Sequence, residues 1–200
     1  MWGGERRSVS ISTGKERLMS EENRKAIRIS VRNLVEFVLR SGDIDNRRSG
    51  NAQKDAMLAG GRIHRKIQKR MGSGYRAEVP LKHEVQDEEQ EITLLVEGRA
   101  DGIFTENGIP VIDEIKGMYT DISKLEEPIE VHLAQAMCYG YFYCCDKDLD
   151  GIRLQMTYCN LETEEIKRFQ TDRSREELET WFSGVVHEYF KWARYLYHHE

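Results

Sequence analysis

Asp101, Glu114 and Lys116 are the residues of this chain whose types and spacing point to chemistry. They sit in two apolar stretches, Val96-Glu97-Gly98-Arg99-Ala100-Asp101-Gly102-Ile103 and Val111-Ile112-Asp113-Glu114-Ile115-Lys116-Gly117, separated by a turn at Glu106-Asn107-Gly108. An Asn-Gly pair between such runs is a hairpin signal, so the two stretches are expected as neighbouring strands. Side chains two apart share one face of a strand. Glu114 and Lys116 therefore point one way with Ile112, and Asp113 the other way with Val111 and Ile115. Strand geometry selects Glu114 over Asp113 as the partner of Asp101.

Two carboxylates beside a lysine suit hydrolysis of a phosphate diester. Hard oxygen ligands such as Asp101 and Glu114 hold Mg2+ or Mn2+, ions that keep part of their water shell and also take phosphate oxygens. Such an ion lowers the pKa of a bound water and neutralises charge building on the phosphorus, while a lysine beside it orients or deprotonates the attacking water. The plainer reading is a Glu-Lys ion pair on a solvated strand, in a chain that is 32% charged. Val111, Ile112 and Ile115 argue against it. They place apolar groups on both faces, as in a strand inside a sheet, where charges must be paired or set on a ligand.

Positioning the trio takes further elements. Residues 51–71 read as a helix in which Met57, Gly61, His64, Ile67 and Met71 recur at three- and four-residue spacing, with Arg62, Arg65, Lys66, Lys69 and Arg70 mostly elsewhere. His64 falls on or beside the inward stripe, either as a core histidine or as a nitrogen ligand to the same ion. With Arg47, Arg48 and Arg76 the cations form a basic stretch. It is either a solvated helix face or a surface on which Arg62, Arg65, Lys66 and Lys69 hold a nucleic-acid backbone by its phosphates. Residues 131–145 form another helix after Glu126-Glu127-Pro128. On it Gln135 and Tyr139 stand one turn apart, able to bond phosphate oxygens or a catalytic side chain, or simply to line an apolar helix.

Taken in order, a Gly-x-x-His helix (Gly61, His64), Gly-x-x-Asp-Gly on a strand (Gly98, Asp101), Glu-x-Lys on the next strand (Glu114, Lys116) and Gln-x-x-x-Tyr on the following helix (Gln135, Tyr139) resemble the RecB-like branch of the PD-(D/E)xK nuclease superfamily. The resemblance runs from about Ser30 to the end of the chain. It implies that His64, Asp101, Glu114 and the Ile115 carbonyl ligate the metal. It also implies that Lys116 is catalytic with Asp101 and Glu114, and that Gln135 and Tyr139 assist substrate or site geometry.

Ile29-Ser30-Val31-Arg32-Asn33-Leu34-Val35-Glu36-Phe37, leading into Gly42-Asp43-Ile44-Asp45, and Gln155-Met156-Thr157-Tyr158-Cys159 are similar to the nuclease domain at the front of some bacterial DinG-like, XPD-family helicases. In that family the helicase follows in the same polypeptide, so the resemblance implies that this chain is a piece of a longer, helicase-containing protein. No Gly-x-x-x-x-Gly-Lys-Ser/Thr loop for an ATP-driven motor occurs in these residues. The implied function is metal-dependent hydrolysis of DNA, as an exonuclease fed by a helicase in repair or recombination. The rival is a catalytically silent module of the same shape that only holds DNA or a partner. Several relatives clamp an iron–sulfur cluster with one cysteine upstream of the metal site and three downstream. Here Cys138, Cys144, Cys145 and Cys159 all lie late and two are adjacent, so free thiols and no iron–sulfur cluster are expected.

With 200 residues, 39% of them hydrophobic, and a net charge of −5, the chain is long enough for one compact domain with a core. No apolar run reaches membrane-spanning length and the N-terminus lacks the apolar centre of a signal peptide. A cytoplasmic location away from membranes is expected, in keeping with unpaired thiols. Residues 1–28 read as a loose leader of mixed charge and 29–200 as the single nuclease-like domain. Within it the spacing predicts a helix over 30–41, the His64 helix, and strands over 75–85, 91–104 and 109–116. The Gln135 helix, a hairpin of 152–160 with 164–170, and a last helix from Ser174 follow, with Glu177 completing a capping box. Trp181, Val185, Tyr189, Trp192 and Leu196 give that helix an apolar stripe. The expected fold is α/β, a central mixed β-sheet flanked by helices on both sides, with the metal site at one edge of the sheet. The resemblance names it a restriction-endonuclease-like core.

Overall fold

The computed structural model describes residues 25–39, 50–87, 89 and 92–197; Arg47, Arg48 and the leader up to residue 24 lie outside them. The elements follow as β1 (Lys25–Ser30), α1 (Val31–Leu39), α2 (Gly50–Arg70), β2 (Arg76–Asp87), β3 (Ile92–Glu106), β4 (Ile109–Met118), a single 3-10 turn (Ile122–Lys124), α3 (Glu130–Lys147), β5 (Gly151–Asn160), β6 (Ile166–Ser174) and α4 (Arg175–Tyr197). Among the described residues four helices flank one six-stranded mixed sheet, an α/β architecture. Strand β1 corrects the leader boundary. Residues 25–28 pair in parallel with β3, in a register from Lys25↔Ile92 to Ser30↔Glu97. Ile27 and Ile29 alternate with Arg28 there, a strand signal too short to stand out from the charged residues before it.

The sheet order is β1-β3-β4-β5-β6, with β2 on the remaining edge of β3. Along that edge β2 pairs antiparallel from Ile92 to Ile103. Along the other, β1 pairs only as far as Glu97, and β4 takes over only from Gly102. Residues 98–101 of β3 pair with neither. Beyond Asp113, β4 in turn pairs only with β5, up to Met118↔Asn160. The sheet therefore forks between its middle strands, and the backbone groups inside the fork must find other partners.

Helices α1, α3 and α4 share one core with the sheet, in which Leu34, Leu94, Val96, Ile112, Phe142, Leu154, Met156, Leu178 and Phe182 are buried. Each such aliphatic or aromatic side chain contributes about 1.5–3 kcal/mol. Helix α2 covers a smaller core of its own, Ile63 and Ile67 against Ile115 and Cys159. That phase differs from the stripe read above. Met57 is 71% exposed, and Ile63 and Ile67 anchor the helix. The stripe of α4 is likewise turned: Leu178, Phe182, Val185, Val186, Phe190 and Ala193 are buried while Trp192 is 47% exposed. Its start is as the sequence reads. The Glu177 amide donates to Ser174 Oγ (3.1 Å) and the Ser174 amide to Glu177 Oε2 (3.2 Å), a reciprocal capping box. No helix among the described residues is long and apolar enough to cross a membrane.

Candidate active site

The candidate residues gather at the fork, inside the sheet rather than at an outer edge of it. Asp101, 8% exposed, stands in the unpaired stretch of β3. Its Oδ2 accepts the Ile115 N–H across the fork (2.7 Å), replacing a ladder bond that the parted strands no longer make. Its Oδ1 lies 3.4 Å from Nδ1 of His64 on α2. Of Ile115, the N–H is thus bonded to Asp101.

Glu114 and Lys116 come in on the side of the sheet that faces α3. Lys116 Nζ lies 3.2 Å from Glu114 Oε1 and donates to Gln135 Oε1 (2.7 Å). Gln135, buried on α3, thus holds the lysine. The start of α3 is itself pinned, because the Ile129 N–H donates to the Tyr158 hydroxyl of β5 (2.9 Å). Glu114 is in a different state from its neighbours. Its Oε2 is buried with no hydrogen-bond partner among the described residues. Burial, reinforced by the Asp101 charge, pushes its pKa up to about 8, against the pull of Lys116.

Tyr139 fills the fork from α3. A Cβ on Gly98 would lie 2.4 Å from the Tyr139 hydroxyl, so only glycine admits the ring there. The Arg99 backbone hydrogen-bonds that hydroxyl, and burial raises its pKa, keeping it a neutral phenol. Tyr139 therefore completes the fork. This gives the Gly98-x-x-Asp101 spacing a physical reason. The equivalent place on α2 has none: a Cβ on Gly61 would meet only Arg65 Nη1 at 3.5 Å, an ordinary contact.

Asp113 lies on the opposite side of β4 from Glu114, fully buried. Tyr75 donates to its Oδ2 (2.7 Å), and Thr157 (2.6 Å) and Gln155 (3.1 Å) donate to its Oδ1. Burial raises its pKa while the three hydrogen bonds hold it down. Tyr75 reaches Asp113 by lying over Gly102, where a Cβ would fall 1.8 Å from the ring. No short-range spacing in the sequence marks Tyr75, Gln155 and Thr157 as partners of Asp113. Gly102, next to Asp101, is a local sign that another segment of the chain passes close.

The expected ligands His64, Asp101 and Glu114 do not stand as a closed cage. Among the described residues no three His, Cys, Asp or Glu side chains are gathered so as to hold an ion by themselves. The donors nevertheless fit a divalent cation. Glu114 has an unpartnered buried oxygen, its charged form is disfavoured in part by Asp101, and a cation beside both would relieve the two together.

Arg62, Arg65, Lys66 and Lys69 are all exposed on α2. Lys66 is committed to Glu164, from the turn between β5 and β6, at 2.6 Å to each carboxylate oxygen. Among the described residues Arg62, Arg65 and Lys69, like Arg70, form no ion pair. The four cysteines are free thiols, with Cys138, Cys144 and Cys159 buried and each pKa raised by burial.

No protein-family model matches the chain, and no curated protein matches it. Among solved structures, the crystal structure of SSO0001 is similar to it with a TM-score of 0.52 and 16% identity, over 86% of this chain and 82% of that one. At that identity the likeness speaks for the fold, an α/β sheet-and-helix architecture shared along most of both chains.

Proposed function

We propose that this chain is a divalent-cation-dependent nuclease that hydrolyses phosphodiester bonds of DNA at the fork between β3 and β4. The observation that carries the reading is the under-compensated Glu114, buried with one oxygen unpartnered and with Lys116 3.2 Å from the other. Asp101 and Glu114, beside His64, would hold Mg2+ or Mn2+, which when bound supplies a water of lowered pKa and offsets charge on the phosphate. Everything else falls to the chain's own groups. Lys116 Nζ carries three N–H donors. One goes to Gln135 and one faces Glu114, so the third is free to orient the attacking water or hold a phosphate oxygen. Gln135 keeps the ammonium in place, and Tyr139 keeps the strands apart. Arg62, Arg65 and Lys69 offer phosphate contacts that position a backbone without reading its sequence. An exonuclease acting on an end or strand supplied by a helicase is the form that the motif resemblance adds.

The test is cleavage of end-labelled single- and double-stranded DNA with Mn2+, Mg2+ or EDTA, beside Lys116→Ala and Glu114→Ala. Metal-dependent degradation that both substitutions abolish is the expected result. DNA bound but left intact with every metal would sink the nuclease and leave the silent binding module.

A further inference from the structure

Opposite Asp101 the second edge of β3 is also irregular. In the β2–β3 register Ala77 pairs with Gly102 and Val79 with Ala100, while the rung between them, Glu78 with Asp101, is missing. Glu78 has a left-handed backbone there (φ 54°), a conformation that strains any residue with a Cβ. Gln68 occupies the gap. Its Nε2 donates to the Asp101 backbone carbonyl (2.9 Å) and to Glu78 Oε1 (2.9 Å). Both partners are pure acceptors, so the orientation of the amide is determined and both of its N–H bonds are used.

Gln68 follows His64 by one helical turn on α2, so the two project from the same helix face. One helix thus touches Asp101 twice, at its carboxylate through His64 and at its carbonyl through Gln68. The carbonyl contact fixes β3 at the residue where the chain leaves the β2 ladder and its side chain crosses the fork to the Ile115 N–H. We propose that Gln68, braced by the strained Glu78, is a positioning residue that sets the Asp101 carboxylate for cation binding. Its consequence for the cation rests on the nuclease reading above; the grip itself rests on the geometry alone.

Two measurements on the full chain separate these. Amide hydrogen exchange at Ile115 reads where the Asp101 carboxylate is, with or without a metal, because that N–H is bonded to it. Calorimetric titration with Mn2+ reads the cation site. Gln68→Met keeps the length of the side chain and its fitness for a helix and removes both donors. In this variant Ile115 exchange should rise about tenfold over that of its neighbours in β4, and Mn2+ affinity should fall about tenfold, the usual scale for a residue behind a ligand. Glu78→Gln, which keeps an acceptor oxygen for Gln68, should leave both near wild type. Unchanged Ile115 exchange, or a rise shared evenly along β4, overturns the positioning role. So does wild-type Mn2+ affinity in a variant whose Ile115 is released. Selective release of Ile115 in a protein that never binds Mn2+ would uphold the grip and overturn the nuclease reading instead.

Discussion

Replacing Asp113 by alanine should remove stability rather than chemistry, and Glu114→Ala should do the reverse. Asp113 is fully buried and accepts from Tyr75, Thr157 and Gln155. Truncation strands three buried donors, each worth about 1–3 kcal/mol when left unsatisfied, and partial relaxation brings the sum to about 3–5 kcal/mol. With a urea m-value of about 2 kcal/mol/M, the unfolding midpoint should drop by about 2 M. Glu114 offers the opposite balance. One of its oxygens has no partner and its charge is disfavoured by burial, so alanine there should leave the midpoint within about 0.5 M. Asp113→Asn should fall between them, since the amide oxygen still accepts from Thr157 and Gln155. Urea titrations of the three variants, with cleavage assays at a temperature where all are folded, decide the matter. An Asp113→Ala protein as stable as wild type would refute the network. Equal loss of cleavage by folded Asp113→Ala and Glu114→Ala would refute the assignment of faces.

Gly98→Ala should push the Tyr139 ring out of the fork, since the new Cβ would meet its hydroxyl at 2.4 Å, and lower kcat by about a hundredfold, as an ångström-scale misplacement does. If that is the route, Gly98→Ala in a Tyr139→Leu background should cost far less, which a double-mutant cycle measures. Glu164→Ala should release Lys66 and tighten DNA binding, with a log–log salt dependence steeper by about 0.7–0.9. Anisotropy titrations over a range of KCl check this, and an unchanged slope would place Lys66 off the DNA path. His83 packs against Phe142, Tyr141 and Phe182, and burial lowers its pKa despite Asp146, Glu179 and Glu84 nearby. Its contribution to stability is complete above the unfolded value near 6.5 and is lost as pH falls from there toward the lowered folded value, because the unfolded chain takes up the proton first. The slope is at most about 1.4 kcal/mol per pH unit, and His83→Phe should flatten it in melting curves from pH 5 to 7.5.

What was legible in the sequence is what short-range spacing carries. The hairpin turn was, because Asn107 and Gly108 both adopt the positive φ that two-residue turns need (51° and 79°). The α4 capping box was, being written in Ser174 and Glu177 alone. The alternation that separates Glu114 from Asp113 needs only the period of a strand. Phase was harder. A stripe drawn through Met57, Gly61, His64 and Ile67 leaves Ile63 out, and in a helix so rich in charge several stripes are about equally apolar. The fork was not legible at all. It depends on where β1 stops along β3 and where β4 starts, and both are decided by strands far apart in sequence. Tyr75, Gln155, Thr157, Gln68 and Glu78 became visible only once those strands were paired.

The fork also explains why the proposed site sits where it does. An unbroken ladder, continuing past Gly102↔Asp113, would have set Asp101 opposite Glu114 and Ala100 opposite Ile115 and closed the space between the strands. Parting them left an N–H on Ile115 and a backbone group on Arg99, and the chain satisfies them with the Asp101 carboxylate and the Tyr139 hydroxyl. The same opening lets α2, on one side of the sheet, bring His64 to Asp101, while α3, on the other, brings Gln135 to Lys116. Groups from two layers thus meet across a sheet that elsewhere keeps them apart. Asp101 carries both burdens at once, bracing the fork and supplying its charge. Substitutions there mix folding with the proposed function, and the cleaner readings come from Lys116, on which the proposed chemistry rests, and Asp113, which belongs to the scaffold.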